Sequence, residues 1–242
     1  MEKVNGLVIN RGIIHFHSNV SFDSVLKIDV IKKWAVKHNL DFICLTDHDT
    51  IEGSQKLRRS LKDTNIEVVL GAEYTSEYGD VVGLFLKDNV KNYFSFDSLV
   101  KEIRQQGGLV LFPHPFKGHT NIEYIAQHVD LIEVFNSRTS DECNKLGNKI
   151  ASKYNVSKSY GSDAHNRFEL GNAIVEIEVR DSLKSALQND KIKVDHKKKT
   201  RFCFILFSQF VKSFKKKDIK LFISQIWRML VYIYEGKLFS KV

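Results

Sequence analysis

The chain of 242 residues is poor in the features that would place it outside the ordinary globular class. It has three cysteines, Cys44, Cys143 and Cys203, far apart and odd in number, with no C-x-x-C spacing. A disulfide scaffold and a thiolate metal site are excluded on that count, and three reduced thiols in a cytosolic protein are expected. Two prolines and thirteen glycines leave no stretch that reads as a disordered linker. No run of about 18 uncharged apolar residues is present, so no membrane-spanning helix is expected. The opening MEKVNGLVIN lacks a charged region followed by a long apolar one, which argues against a signal peptide. No internal period is visible. Acidic charge is scarce only in one place. Residues 195–242 hold twelve Lys/Arg against three Asp/Glu, while residues 1–194 hold 25 against 26. The net charge of +8 therefore belongs to the tail, and the body is near neutral.

The body reads as short apolar strands alternating with helices. Candidate strands are Gly12–His17, Phe42–Thr46, Glu67–Leu70, Asp80–Leu86, Leu109–Phe112, Leu131–Phe135 and a run through Ser159–Gly161. Candidate helices are Asp29–His38, with Asp29 as N-cap and Val30, Ile31 and Trp34 on one face, then Ser54–Lys62, Ser98–Gln106 and Asp141–Tyr154. Strand followed by helix, repeated, implies a largely parallel sheet with crossover connections. Polar residues gather where strands end, and in α/β barrels the loops at the carboxyl ends carry the site.

Histidine is the informative residue. Of nine, five sit at such strand ends: His15 and His17 in His15-Phe16-His17, His48 between Asp47 and Asp49, His114 between Pro113 and Pro115, and His165 two residues after Asp163. Positions i and i+2 of a strand share a face, so His15 with His17, and Asp163 with His165, are expected to converge on one ion. A lone histidine is usually a satisfied core residue. Four clusters at four strand ends are hard to obtain from packing, because buried charge is costly unless paired or metal-bound. Imidazole and carboxylate without thiolate suit Zn, Mn or Fe in a catalytic site.

HFHSNVSFDS, LTDHDTIEG, GAEYTS, FPHPF and YGSDAH, in this order over about residues 12–175, resemble the PHP (polymerase and histidinol phosphatase) superfamily. The resemblance implies a distorted (β/α)7 barrel, here assigned to residues 1–194, while the charge shift and helical spacing mark 195–242 as a basic amphipathic helical C-terminal extension. The resemblance also implies two or three divalent ions: a first held by His15, His17, Glu73 and Asp163, a second bridged by Glu73 and bound by His114, and a third at Asp23, His48 and His165. Where many members carry a histidine before the proline-flanked one, this chain has Asp80, an oxygen ligand that would favour a harder ion such as Mn, or else a turn aspartate. The implied activity is hydrolysis of a phosphoester, on a small phosphorylated metabolite or a nucleotide, by a metal-activated hydroxide. His48 or His165 would supply a proton, and Lys117 and Arg138 would contact phosphate. Alternatives are a nuclease acting on oligonucleotide ends and a non-catalytic metal-binding scaffold module. Asp47 is expected to orient a metal-bound histidine and Asp49 to cap the helix that follows.

In the tail the spacing predicts a helix from Asp218, its N-cap, to about Glu235, stopped by Gly236. Ile219, Phe222, Ile223, Ile226, Leu230 and Ile233 line one face with Trp227 alongside. Three uses compete for residues 200–240: an anionic membrane surface, packing on the barrel or on a second subunit, and nucleic acid. A cytoplasmic protein is expected, and the membrane use would place it at the inner face.

Overall fold

β-branched and aromatic runs set the frame, and the computed structural model describes residues 8–189 and 192–242. Residues 1–7, most of the stretch read as lacking a targeting signal, lie outside the described residues. Strands β1 (Val8–Phe16), β2 (Phe42–His48), β3 (Glu67–Ser76), β4 (Gly79–Leu84), β5 (Leu109–Phe112), β6 (Leu131–Asn136) and β7 (Ser157–Ala164) form a closed barrel, because β1 pairs with both β2 and β7. Strands β8 (Ala173–Val179) and β9 (Ile192–Lys197) continue antiparallel from the first half of β1. Helices α1 (Ile28–Lys37), α2 (Glu52–Ser60), α3 (Phe96–Gln105), α4 (Ile122–His128), α5 (Asp141–Tyr154) and α6 (Leu183–Gln188) accompany the strands. Helices α7 (Phe202–Lys215) and α8 (Ile219–Tyr234) make a C-terminal hairpin. Among the described residues no helix is long and apolar enough to cross a membrane.

The pleat sorts the side chains. Ile43, Leu45 and Val68 pack outward with Ile31 and Ala35 of α1 and Leu57 of α2. Cys44, Val69, Leu111 and Leu131 pack together as a separate buried apolar cluster. Two or four residues further along the same faces come His48, Glu73 and Glu133, so chemistry sits at one end of a face whose other end is apolar.

The barrel is largely parallel, as expected, with an exception at β4. Glu77 to Gly79 make a tight hairpin in place of a helical crossover, and β4 runs antiparallel to both β3 and β5. Reversal brings the start of β4, with Asp80, to the rim where β3 ends, and Asp80 pairs with Thr75. Two expected caps are also corrected. α1 starts at Ile28 after Lys27 and takes no side-chain cap, with Asp29 inside the first turn, where its charge still meets the helix dipole. Its buried residues are Ile31 and Ala35, with Val30 and Trp34 only half-buried. Asp49 does not cap α2, because the chain turns left-handed at Asp49 (φ 58°) and the Ile51 amide donates instead to Asn89 Oδ1 at 2.8 Å. Asp218 does cap α8, accepting from the Leu221 amide at 2.9 Å, and Gly236 leaves the helix at φ +66°.

Candidate metal centre

Irregular backbone, more than the pleat, aims the ligands. His15 (φ 57°), His114 (φ 29°) and Asp163 (φ 50°) occupy the left-handed region. Each such non-glycine residue costs on the order of 1–3 kcal/mol, and such residues cluster at functional sites. His15 and His17 therefore do converge, but through a break in the β1 pairing between Ile14 and Phe16 and not as two regular strand positions. β7 likewise ends at Ala164, before His165.

All nine residues singled out as ligands come together. Donor atoms of His17, Asp23, His48 and His165 lie within 4.8 Å of one another, as do those of His15, His114 and Asp163, of His15, His17 and Glu73, and of Glu73, Asp80 and His114. Glu73 is the hub. Its Oε2 lies 3.2 Å from His17 Nε2, 3.4 Å from His48 Nδ1 and 3.6 Å from His15 Nε2, and its Oε1 lies 3.0 Å from His114 Nε2. Asp23 Oδ2 lies 3.2 Å from His48 Nε2 and 3.1 Å from His165 Nε2. His15 Nε2, His17 Nε2, His114 Nδ1 and Asp23 Oδ1 are buried with no hydrogen-bond partner. Buried nitrogen and oxygen atoms left unpaired in one small volume are costly. Convergent imidazole and carboxylate donors of this kind fit divalent ions.

Electrostatics give the same picture. Burial disfavours the charged form of His17, yet the adjacent carboxylates of Asp163 and Glu73 outweigh it and raise the pKa to about 10. His15 is also pushed well up, against its burial, by Glu133 and Glu73. His48 is raised against its burial and His17 by Glu73 and Asp23. Burial works against the anions of Glu73 and Asp163, but the neighbouring histidines, with Lys117 at Asp163, hold both well below the usual carboxylate range. His165 differs: burial and the Arg138 guanidinium lower it, keeping its ring neutral. Protons on these imidazoles play the part that divalent charge would play among the carboxylates.

A second layer fixes the donors. Glu133, fully buried on β6, accepts from His15 Nδ1 at 2.9 Å, the His114 amide at 2.7 Å and Asn136 Nδ2 at 2.9 Å. Its carboxylate fills the space a Cβ at Gly161 would need, so glycine is required there by close approach. Asp47 acts through a relay: it accepts from the Ser18 amide and from Ser21 Oγ, and Ser21 Oγ lies 3.3 Å from His17 Nδ1. His119, which matched no motif, packs edge-on to Phe112, and its Nε2 meets the Asp80 carbonyl at 2.9 Å. Burial, then His114, lowers its pKa to about 4.

The tail reaches the same place. The Arg138 guanidinium sits against His165 Nδ1, donates to Ser208 Oγ of α7 at 2.6 Å and lies 3.5 Å from Glu169. Lys117 Nζ is 3.7 Å from Asp163 Oδ2. Both cations line a cavity of about 400 Å³ that contains most of the metal-type donors and is completed by Ile205, Gln209 and Lys212 of α7 and Arg228 of α8. Nothing in the sequence placed these four there, since their spacing is that of an ordinary helix. Glu133 was hidden too, inside an apolar strand.

The sequence profile of the PHP domain matches residues 14–177. An uncharacterized protein of Methanocaldococcus jannaschii, MJ0417, is 32% identical over 202 residues, 75% of this chain and 79% of that protein. The chain belongs to the PHP domain family. A two-domain protein of Bacteroides vulgatus containing a predicted PHP-like metal-dependent phosphoesterase superposes with a TM-score of 0.66 at 19% identity, over 81% of this chain and 67% of that one. A lesion-specific endonuclease of Pyrococcus furiosus, PfuEndoQ, shares the fold at a TM-score of 0.55 and 14% identity, over 77% of this chain and 58% of that one.

Proposed function

We propose that this chain hydrolyses small phosphomonoesters at the centre built around Glu73. The observation that carries this reading is the enclosure of the donor cluster by Lys117, Arg138, Lys212 and Arg228 in one cavity of about 400 Å³, roofed by the C-terminal hairpin. Four cations lining one small cavity suit a compact dianion better than a polymer threading through. The near-neutral charge of residues 1–194 does not favour a polynucleotide substrate.

In this reading His15, His17, Glu73 and Asp163 would hold one ion, Glu73, His114 and Asp80 a second, and Asp23, His48 and His165 a third, with Zn, Mn and Fe all compatible with the donors. Bound divalent ions polarise phosphoryl oxygens and bring the pKa of water toward neutrality. The chain itself positions the substrate. Lys117, exposed on one side, and Lys212 and Arg228, across the cavity, offer charge to phosphate oxygens. Arg138 is engaged with His165 and Ser208 and holds that side of the site rigid. Of the two histidines read as proton carriers, His165 is kept neutral, whereas His48 is raised and opens onto the cavity. With only the first two sites filled, His48, which lines the cavity, is the proposed proton donor to the leaving oxygen; with the third filled it would serve as a ligand instead.

Three substrates separate the readings: p-nitrophenyl phosphate, bis(p-nitrophenyl) phosphate and a single-stranded oligonucleotide, each with and without added Mn or Zn. Metal-dependent turnover is expected to be fastest on the monoester and to vanish on chelation. Cleavage of the oligonucleotide with no monoester turnover would replace this reading with the nuclease one. Bound ions with no turnover of any substrate would leave a metal-holding scaffold.

A further inference from the structure

Helix α8 is turned inside out for a helix of a globular protein. Ile219, Ile223, Ile226, Leu230 and Ile233 recur at spacings of four, three, four and three, which makes one continuous apolar stripe. Such a stripe ordinarily faces the core. Here all five are exposed, with Trp227 beside them at 69%. The opposite face holds Gln225, which is buried, and Arg228, which lines the metal cavity.

The hairpin is fixed in this pose from its inner side. Phe222 meets Phe210 and Tyr232 meets Phe202 at ring separations of 5.4 and 4.9 Å. The amides of Cys203 and Phe202 donate to the carbonyls of Leu238 and Ser240. Rotation that buried the stripe would break these contacts, so the stripe needs an occupant from outside.

Charge says which one. Lys217 and Lys220 stand at one end of the stripe and Lys237 and Lys241 at the other. The two acidic residues of the hairpin are already used: Asp218 caps α8, and Glu235 pairs with Lys237 at 2.9 Å. A second copy of the chain would bring two positive borders together, which is repulsive. An anionic lipid surface neutralises them, and an apolar stripe bearing Trp and Ile between lysines fits the headgroup boundary of a bilayer. We infer that α8 docks this protein on membranes containing anionic phospholipid, lying in the interface plane with its outer stripe inserted and its flanking lysines on the headgroups.

The test uses the full chain, sedimented with phosphatidylcholine vesicles and with vesicles that also contain phosphatidylglycerol. The protein is expected to pellet with the anionic vesicles only. Binding should weaken as salt rises from about 0.1 M to about 1 M, where the screening length falls from about 10 Å to about 3 Å. The double variant Ile223→Glu/Trp227→Glu should lose about tenfold or more in partitioning, since two large side chains no longer leave water. Its circular dichroism and metal content should match the wild type. Absence of vesicle binding, equal binding to neutral vesicles, or an unaffected double variant would each overturn the inference. So would sedimentation equilibrium showing a wild-type dimer that the double variant dissolves, because a second copy would then be the occupant.

Discussion

Glu133 sets the geometry of the centre without facing the substrate cavity. One carboxylate holds the His15 ring by Nδ1, the backbone amide of His114 and the Asn136 side chain, and so ties β1, β5 and β6 into one frame. A hydrogen bond from carboxylate to a ligand imidazole fixes the tautomer that leaves Nε2 free for an ion, and loss of such partners typically lowers metal affinity about 10–100-fold. Glu133→Gln is therefore expected to weaken metal binding by about that factor while the barrel stays folded, read by titration with a competing chelator. Unchanged affinity would remove Glu133 from the centre. The five site histidines were legible in the sequence because each falls at the end of a candidate strand, His15 and His17 as a pair, His114 between prolines, and His48 and His165 within two residues of an aspartate. Glu133 was not, because a single charged residue inside Leu131–Phe135 looks like any half-exposed strand position until β1 and β5 are seen to close over it.

At the scale of elements, the alternation of strands and helices was readable, and α5 falls at Asp141–Tyr154 as its spacing indicated. The reversed β4 was not, because nothing in Asp80–Leu86 distinguishes an antiparallel strand from a parallel one once a short turn precedes it. α7 also escaped, as its Phe-rich stretch has neither a clear apolar stripe nor a side-chain cap. Yet α7 pins the loop that carries Asp23. Lys215 Nζ donates to the carbonyls of Asn19, Ser21 and Ser24 at 2.8–3.0 Å. Replacing it by methionine keeps the stem and removes all three bonds, at a cost of about 1–2 kcal/mol. Lys215→Met should speed amide exchange across residues 19–24 and weaken the Asp23, His48 and His165 group more than the others. Exchange in that loop equal to wild type would show that α7 does not hold it.

For the molecule as a whole, the donor cluster couples metal, protons and stability. In the metal-free chain the raised pKa values of His15 and His17 leave these rings protonated at pH 7. Ligation requires neutral imidazole. Uptake of metal at pH 7 should therefore release protons, seen as a buffer-dependent binding enthalpy, and affinity should fall as pH falls. For His17 the folded pKa of about 10 lies above the ordinary imidazole value of 6.5. Its contribution to metal-free stability is complete below about 6.5 and is lost as pH rises through about 10. The melting temperature of the metal-free protein is thus expected to drop between pH 7 and 10 by more than that of the loaded protein. Parallel curves would contradict this linkage.

The account stands on ions being held by side chains that converge from β1, β2, β3, β5 and β7. Metal content per chain, measured by mass spectrometry of elements on purified wild-type protein and on His17→Ala, tests that most directly. Two or three bound divalent ions are predicted for the wild type, with clear loss in the variant at unchanged circular dichroism. A wild-type protein that binds no divalent ion, or a variant that keeps the full complement, would contradict it.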